Sequence, residues 1–193
     1  MRIVLYTGVL GFLVALASCG GGQPDNVKSA DSANDKRTDS MANAQSVTDS
    51  SAPSKQDAQF MVKATNGAQF EVVLGKLAST KGLDPGVRRF GEMMIQDHSK
   101  GEETLRGLAA SKKIVLPDTL SIDQEKVRTD LELKKGSAFD KAYVLLMVAD
   151  HKEDIEEFRR AATNANDPDI KALAAANIPI LQQHLDSASH LLR

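Results

Sequence analysis

The sequence predicts an all-α domain, an antiparallel four-helix bundle of two αα-hairpins joined by a long crossover that carries a short helix. Three observations lead there. From Gln56 onward apolar residues recur at intervals of three and four, the period of a helix with one buried face. No stretch of that region alternates apolar with polar residues as a half-buried strand would. The breaks carry helix-start signals, Asp84-Pro85 and Asp167-Pro168, with Asp suited to an N-cap and Pro to the first helical position.

The elements follow in order. A first helix is expected over residues 55–80, then a tight break at Gly82-Leu83-Asp84-Pro85 and a second helix over 85–111. After a linker over 112–119, Ser121 caps a short helix that runs to about 134 and ends near Gly136. A long helix over 138–163 breaks at Asn164-Ala165-Asn166-Asp167, and a last helix spans 168–191. Pro179 falls inside that helix and removes the donor that would meet the Ala175 carbonyl, which predicts a kink. Two hairpins with one long connection is the connectivity of ferritin-like bundles.

The N-terminal region reads as an address. Arg2 precedes an apolar run of fifteen residues over 3–17, too short to span a bilayer and suited to a secretory signal. The run ends in Leu16-Ala17-Ser18-Cys19 followed by three glycines, which resembles the bacterial lipobox whose Cys becomes the acylated first residue of a lipoprotein. The expected organisation is a signal peptide over 1–18, an acylated Cys19 with a disordered tether over 19–54, and the helical domain over 55–193. The tether is predicted from its Ser, Asp, Asn, Ala and Lys content, which lacks the large apolar residues needed to offset ordering entropy. A protein of this kind belongs to the bacterial envelope, held to a membrane by lipid and facing the periplasm from the outer membrane.

Composition narrows the chemistry. The 193 residues carry a net charge of −2 with no basic block, which argues against a nucleic-acid partner. A single Cys excludes an intrachain disulfide and a thiolate zinc cluster. Any metal bound by the domain would be held by His and carboxylates. No Gly-rich phosphate loop, Ser-His-Asp arrangement or inward pair of carboxylates stands out, so the sequence does not point to catalysis.

Each long helix places one titratable residue on its inward stripe. Glu71 interrupts Phe60, Ala64, Gly67, Leu74 and Ala78; His98 interrupts Val87, Phe90, Met94 and Leu105; His151 interrupts Tyr143, Met147, Ile155 and Phe158; His184 interrupts Ile170, Leu173, Leu181 and Ala188. Glu71 lies 13 positions before Asp84 and His98 14 after it, while His151 lies 16 before Asp167 and His184 17 after. Members of each pair are therefore level along their hairpin. The two hairpins differ by three residues, about 4.5 Å of helix rise. Met94-Ile95-Gln96-Asp97-His98 and Met147-Val148-Ala149-Asp150-His151 share the pattern Met-x-x-Asp-His. Asp97 and Asp150 sit about 100° round the helix from the adjacent His, which suits them to orienting imidazoles rather than binding the same ion.

Several of these landmarks occur together: Phe60-x-x-x-Ala64, Glu71-Val72-x-Leu74-Gly75, Met94-x-x-Asp97-His98, Leu116-Pro117, Gly136-x-x-Phe139-Asp140-x-x-Tyr143, Met147-x-x-Asp150-His151 and Pro179-x-Leu181-x-x-His184-Leu185. They resemble the bacterial family catalogued as domain of unknown function 4142, over about residues 57–192. The resemblance implies a ferritin-like helical bundle and export, often with lipidation, and it supplies no reaction. Di-iron members of the ferritin-like class carry Glu three residues before the ligating His. Here Ile95, Val148 and Leu181 occupy those positions, which argues against ferroxidase-type chemistry.

Two readings of the four inward residues stand side by side. In one, Glu71, His98, His151 and His184 hold one transition-metal ion (Zn, Cu, Fe or Ni) for sequestration, stress protection or sensing, with Met94 and Met147 beside them to favour Cu(I). In the other, they form a buried polar network that sets bundle register, and the domain is a non-catalytic structural or interaction module with an envelope protein as its partner. The sequence assigns no oligomeric state.

Overall fold

The computed structural model describes residues 25–43 and 53–193. The signal peptide and Cys19 lie outside the described residues. Among those described the chain is helical: α1 (Asn26–Asn43), α2 (Lys55–Lys81), α3 (Pro85–Lys112), α4 (Ile122–Glu132), α5 (Gly136–Asn164) and α6 (Pro168–His190). Helices α2 and α3 form one antiparallel hairpin and α5 and α6 the other, with α4 in the crossover. No helix among them is long and apolar enough to cross a membrane.

Helix ends follow the local chemistry. Ser54 and Asp57 form a capping box at the start of α2, and Ser121 and Gln124 form another at the start of α4. Asp84 and Asp167 are the N-caps of α3 and α6, each followed by Pro at the first position. Gly136 has φ 55°, and this left-handed residue opens α5 two residues earlier than the periodicity suggests. Helix α6 runs through Pro179.

The tether expectation is corrected over residues 26–43. That segment is helix α1, which packs on α2. Among its described side chains the buried apolar one is Ala30. Polar anchoring carries the rest: the Asn34 side chain donates to the Val115 carbonyl at 2.9 Å and accepts from the Val115 N–H at 2.8 Å. Lys55 pairs with Asp35 at 2.6 Å, and Arg37 donates to the Lys112 carbonyl. A composition argument that weighs only buried apolar area misses a helix held by buried hydrogen bonds.

Each hairpin grips the turn of the other. Asp140 on α5 accepts from the N–H groups of Leu83 and Asp84 at 3.0 and 2.8 Å, which fixes the α2–α3 turn. Asp57 on α2 accepts from Asn166 and Asp167 at 3.0 and 3.1 Å, which fixes the α5–α6 turn. Within the first hairpin α2 and α3 touch backbone to backbone. A Cβ at Gly75 would lie 2.8 Å from the Gly91 carbonyl oxygen, and a Cβ at Gly91 would lie 2.7 Å from that of Gly75. Only glycine fits so close an approach.

The interior has two apolar layers. One gathers Phe60, Met61, Leu105, Phe158, Ile170 and Leu181; the other gathers Leu74, Phe90, Met94, Phe139, Tyr143 and Met147. In α3, α5 and α6 the titratable residue of the inward stripe falls between the segments that feed these layers, and in α2 Glu71 follows Phe70 at the edge of the second layer. The polar groups thus form a third layer, walled by hydrocarbon on both sides.

Candidate metal centre

The four inward residues meet. Glu71, His98, His151 and His184 are 1, 8, 0 and 1% exposed, and the three imidazole rings lie 5.1–5.7 Å apart between centroids. Glu71 Oε2 is 2.8 Å from His98 Nδ1 and Glu71 Oε1 is 3.3 Å from His151 Nε2. His98 Nε2 is 3.2 Å from His184 Nδ1. One nitrogen from each imidazole lies within 4.8 Å of those from the other two.

The partners of each ring determine where its proton sits. His151 Nδ1 donates to the Met147 carbonyl at 2.9 Å, one helical turn back. His184 Nε2 donates to Asp97 at 2.9 Å, and His98 Nδ1 donates to Glu71. All three partners are acceptors only, so in each neutral ring the remaining nitrogen carries a lone pair. Those nitrogens are His98 Nε2, His151 Nε2 and His184 Nδ1. His98 Nε2 thus meets His184 Nδ1 lone pair to lone pair, and His151 Nε2 meets Glu71 Oε1 in the same way. Neither His151 Nε2 nor Glu71 Oε1 has a hydrogen-bond partner, and both are buried. Burying unpaired acceptors against one another is costly unless a proton or a cation lies between them.

Electrostatics set His98 apart from the other two rings. Burial pushes the Glu71 carboxyl up, but the charges of His98, His151 and His184 and the bond from His98 outweigh it and hold it below the usual carboxylate range. Burial pulls His98 down, and the Glu71 carboxylate beside it more than reverses that. Burial dominates for His151 and His184 and holds both below an ordinary imidazole, so they are neutral and able to ligate at neutral pH.

The neighbouring residues depart in part from expectation. Asp97 orients an imidazole, that of His184 on α6 rather than its neighbour His98. Asp150 holds none of the three rings: His151 Nδ1 donates to the Met147 carbonyl one turn back, and Asp150 Oδ2 is buried without a partner. The side chains of Met94 and Met147 belong to the second apolar layer; Met147 serves the site through its backbone oxygen.

Asp154 stands in the run Glu153-Asp154-Ile155-Glu156-Glu157 with Arg159 and Arg160, a pattern that reads as a solvated helix face. Instead it joins Glu71 and Asp150, each contributing an oxygen within 4.8 Å of the others, so inward carboxylates are present after all. The signal was the spacing Met147, His151, Asp154, Phe158, which continues the inward stripe. Burial, then the nearby Glu71 charge, pushes Asp150 up to about 8, and the same causes with Asp150 added raise Asp154 well above its ordinary value. A cavity of about 380 Å³ opens onto this layer, lined by Glu71, His98, Asp154 and His184 and walled by Leu105 and Phe158.

The family profile described as "Domain of unknown function (DUF4142)" matches residues 42–191, which takes in α2 to α6 and all four inward residues. The chain belongs to that family. Helix α1 lies almost wholly before the matched region. Among solved structures, the DUF4142 chain is similar to the crystal structure of a DUF305 fragment from Deinococcus radiodurans, with a TM-score of 0.65 and 11% identity over 73% of this chain and 97% of that one. At that identity the likeness establishes a shared helical fold. No curated protein matches the chain.

Proposed function

We propose that this DUF4142 protein is a lipid-anchored envelope protein whose ferritin-like domain binds one transition-metal ion through His98, His151, His184 and Glu71, for sequestration or sensing. The observation that carries the reading is the meeting of three buried imidazoles, a nitrogen of each within 4.8 Å of the others, with every ring oriented by an acceptor. That is how proteins prepare histidines for a metal. The spacings of the imidazoles support it: a tetrahedral ion with bonds of ~2.0–2.1 Å sets its ligands about 3.3 Å apart, against 3.2 Å for His98 Nε2 to His184 Nδ1, with a nitrogen of all three rings within 4.8 Å of the others. The donor set suits Zn, Cu(II), Fe or Ni. Anchoring at Cys19 would hold the domain at the periplasmic face of the outer membrane.

A second reading, a polar network that sets register in a non-catalytic interaction module, is favoured by the upward shift of His98. A proton on His98 Nε2 would satisfy His184 Nδ1 and pair the imidazolium with Glu71. That proton leaves His151 Nε2 facing Glu71 Oε1 unpaired, which is why the metal reading is preferred. Thermal unfolding with added Zn, Cu or Ni separates the two. A site confined to the folded state stabilises by ~2.7 kcal/mol at a metal concentration of about 100 Kd, and His98→Ala should remove the gain. Equal unfolding temperatures with and without metal would favour the network.

A further inference from the structure

We infer that the crossover between the hairpins, with the outer stripe of α4, lies against the bilayer that holds the lipid anchor, so that the domain rests on the membrane instead of hanging clear of it. The inference rests on the acylation of Cys19 proposed above and adds to it the face that meets the lipid.

Helix α1 shortens the tether. Seven residue steps separate Cys19 from Asn26, and fully extended they reach at most about 25 Å, against about 125 Å for a tether over 19–54. The start of α1 is fixed to the crossover. Asn26 donates to the Thr119 hydroxyl, and two turns further on Asn34 holds both backbone groups of Val115. Thr119 is tied in turn to α2, whose Asn66 donates to its carbonyl. The anchor therefore joins the domain where α1 meets the crossover. A reach of about 25 Å is less than the length of the bundle, about 40 Å along the 27 residues of α2, so this side is the one kept near the lipid.

Exposed apolar side chains gather on the same side. Val115, Ile122, Val127 and Leu133 of the crossover are 46, 56, 37 and 75% exposed, whereas among the described residues α5 and α6 each show one such side chain, Leu145 and Ile180. Ile122, Lys126, Thr129 and Leu133 follow one another at steps of three and four, which sets them on one stripe of α4. The buried Leu131 lies about 180° round the helix from Ile122, so the stripe faces away from the core. Exposed apolar groups clustered in this way mark a surface that meets a membrane or a partner, and the short tether decides for the membrane. It supplies an effective concentration in the millimolar range, at which contact through a few aliphatic side chains suffices. Residues 113–135 carry five basic and five acidic side chains, so the contact is apolar, and charge neither draws it nor opposes it.

The test uses the full chain, acylated in bacteria and reconstituted into vesicles of phosphatidylethanolamine and phosphatidylglycerol. The chain has one Cys, and lipid on its sulfur leaves no free thiol. Ile122→Cys and Gln182→Cys then each offer one site for an environment-sensitive fluorophore. Gln182 is exposed on α6, which packs on α3 and α5. The expected result is blue-shifted emission from the label at Ile122 and its quenching by nitroxide-labelled headgroups, at high salt as at low, with neither effect at Gln182. Equal quenching at the two positions, or none at either in vesicle-bound protein, would overturn the face and leave the anchor standing. A blue shift at Ile122 that grows with protein density and escapes the lipid nitroxide would overturn it too, because a second copy would then cover the stripe. A chain that takes a second fluorophore at a free Cys19 and does not float with the vesicles would overturn the anchor, and this inference with it.

Discussion

His98 Nε2 and His184 Nδ1 stand 3.2 Å apart with no donor between them in their neutral forms, because each ring has given its N–H to a carboxylate, Glu71 behind one and Asp97 behind the other. Three helices, α2, α3 and α6, must agree in rotation and height for this to occur. The two turn clamps, Asp140 and Asp57, supply the agreement in height. The Gly75–Gly91 contact brings Glu71 and His98 within reach.

Asp97 should act on the metal through His184 without touching it. Asp97→Asn keeps the side-chain shape and removes the charge that steadies the imidazole N–H. Metal affinity should fall by roughly 10–100-fold, with helical content unchanged, as read by competition against a chelator. An unchanged affinity would remove Asp97 from the site.

Gly91→Ala should separate α2 from α3. Its Cβ would lie 2.7 Å from the Gly75 carbonyl oxygen and 2.8 Å from the Ser79 nitrogen, both of them backbone atoms. Overpacking of this kind costs ~1–3 kcal/mol, which exceeds the helix-propensity gain of about 1 kcal/mol from replacing glycine. Urea unfolding of the variant should show the loss, and metal affinity should drop with it as Glu71 moves from His98. A more stable variant would show that the contact gives way easily.

Asp57→Ala tests the clamp on the α5–α6 turn. It removes the capping box of α2 and strands the N–H groups of Asn166 and Asp167. The cap contributes about 1 kcal/mol and a stranded buried donor costs ~1–3 kcal/mol, so a loss of roughly 2–4 kcal/mol in urea unfolding is expected. A loss confined to the cap would show that water replaces Asp57 at the turn.

The pairing of helices was legible in the sequence, because Asp84-Pro85 and Asp167-Pro168 mark two turns and the inward stripes are regular. The level of Glu71 with His98, and of His151 with His184, followed from counting outward from those turns. The relative height of the hairpins did not, since it depends on Asp140 and Asp57 reaching across to turns more than fifty residues away in sequence. Asp154 was hidden among surface charges, because a run of Glu and Arg resembles a solvated face until one residue is seen to share the stripe of His151. Helix α1 was hidden for the opposite reason: its hold on Val115 is made by Asn34, a residue type that periodicity arguments set aside.

Stability without metal should depend on pH through Asp150. Its folded value, up to about 8, lies above that of an unfolded aspartate, so between roughly pH 4 and pH 8 the folded chain keeps a proton that the unfolded chain has released. This contribution to stability is present at low pH and is lost as pH rises toward 8. His151 and His184, shifted down, contribute in the opposite direction near pH 6. Comparison with Asp150→Asn isolates the aspartate: in chelator, the variant should gain stability relative to wild type from pH 5 to pH 8. A constant difference across that range would contradict the burial of this carboxylate.

The most direct measurement is elemental mass spectrometry of the protein purified without an affinity tag, before and after reconstitution with Zn, Cu, Fe and Ni, beside His98→Ala/His151→Ala. Near-stoichiometric transition metal is expected in the wild type, with its loss from the double variant at unchanged helical content. A wild type that retains no metal after reconstitution, or a double variant that retains as much, would contradict it.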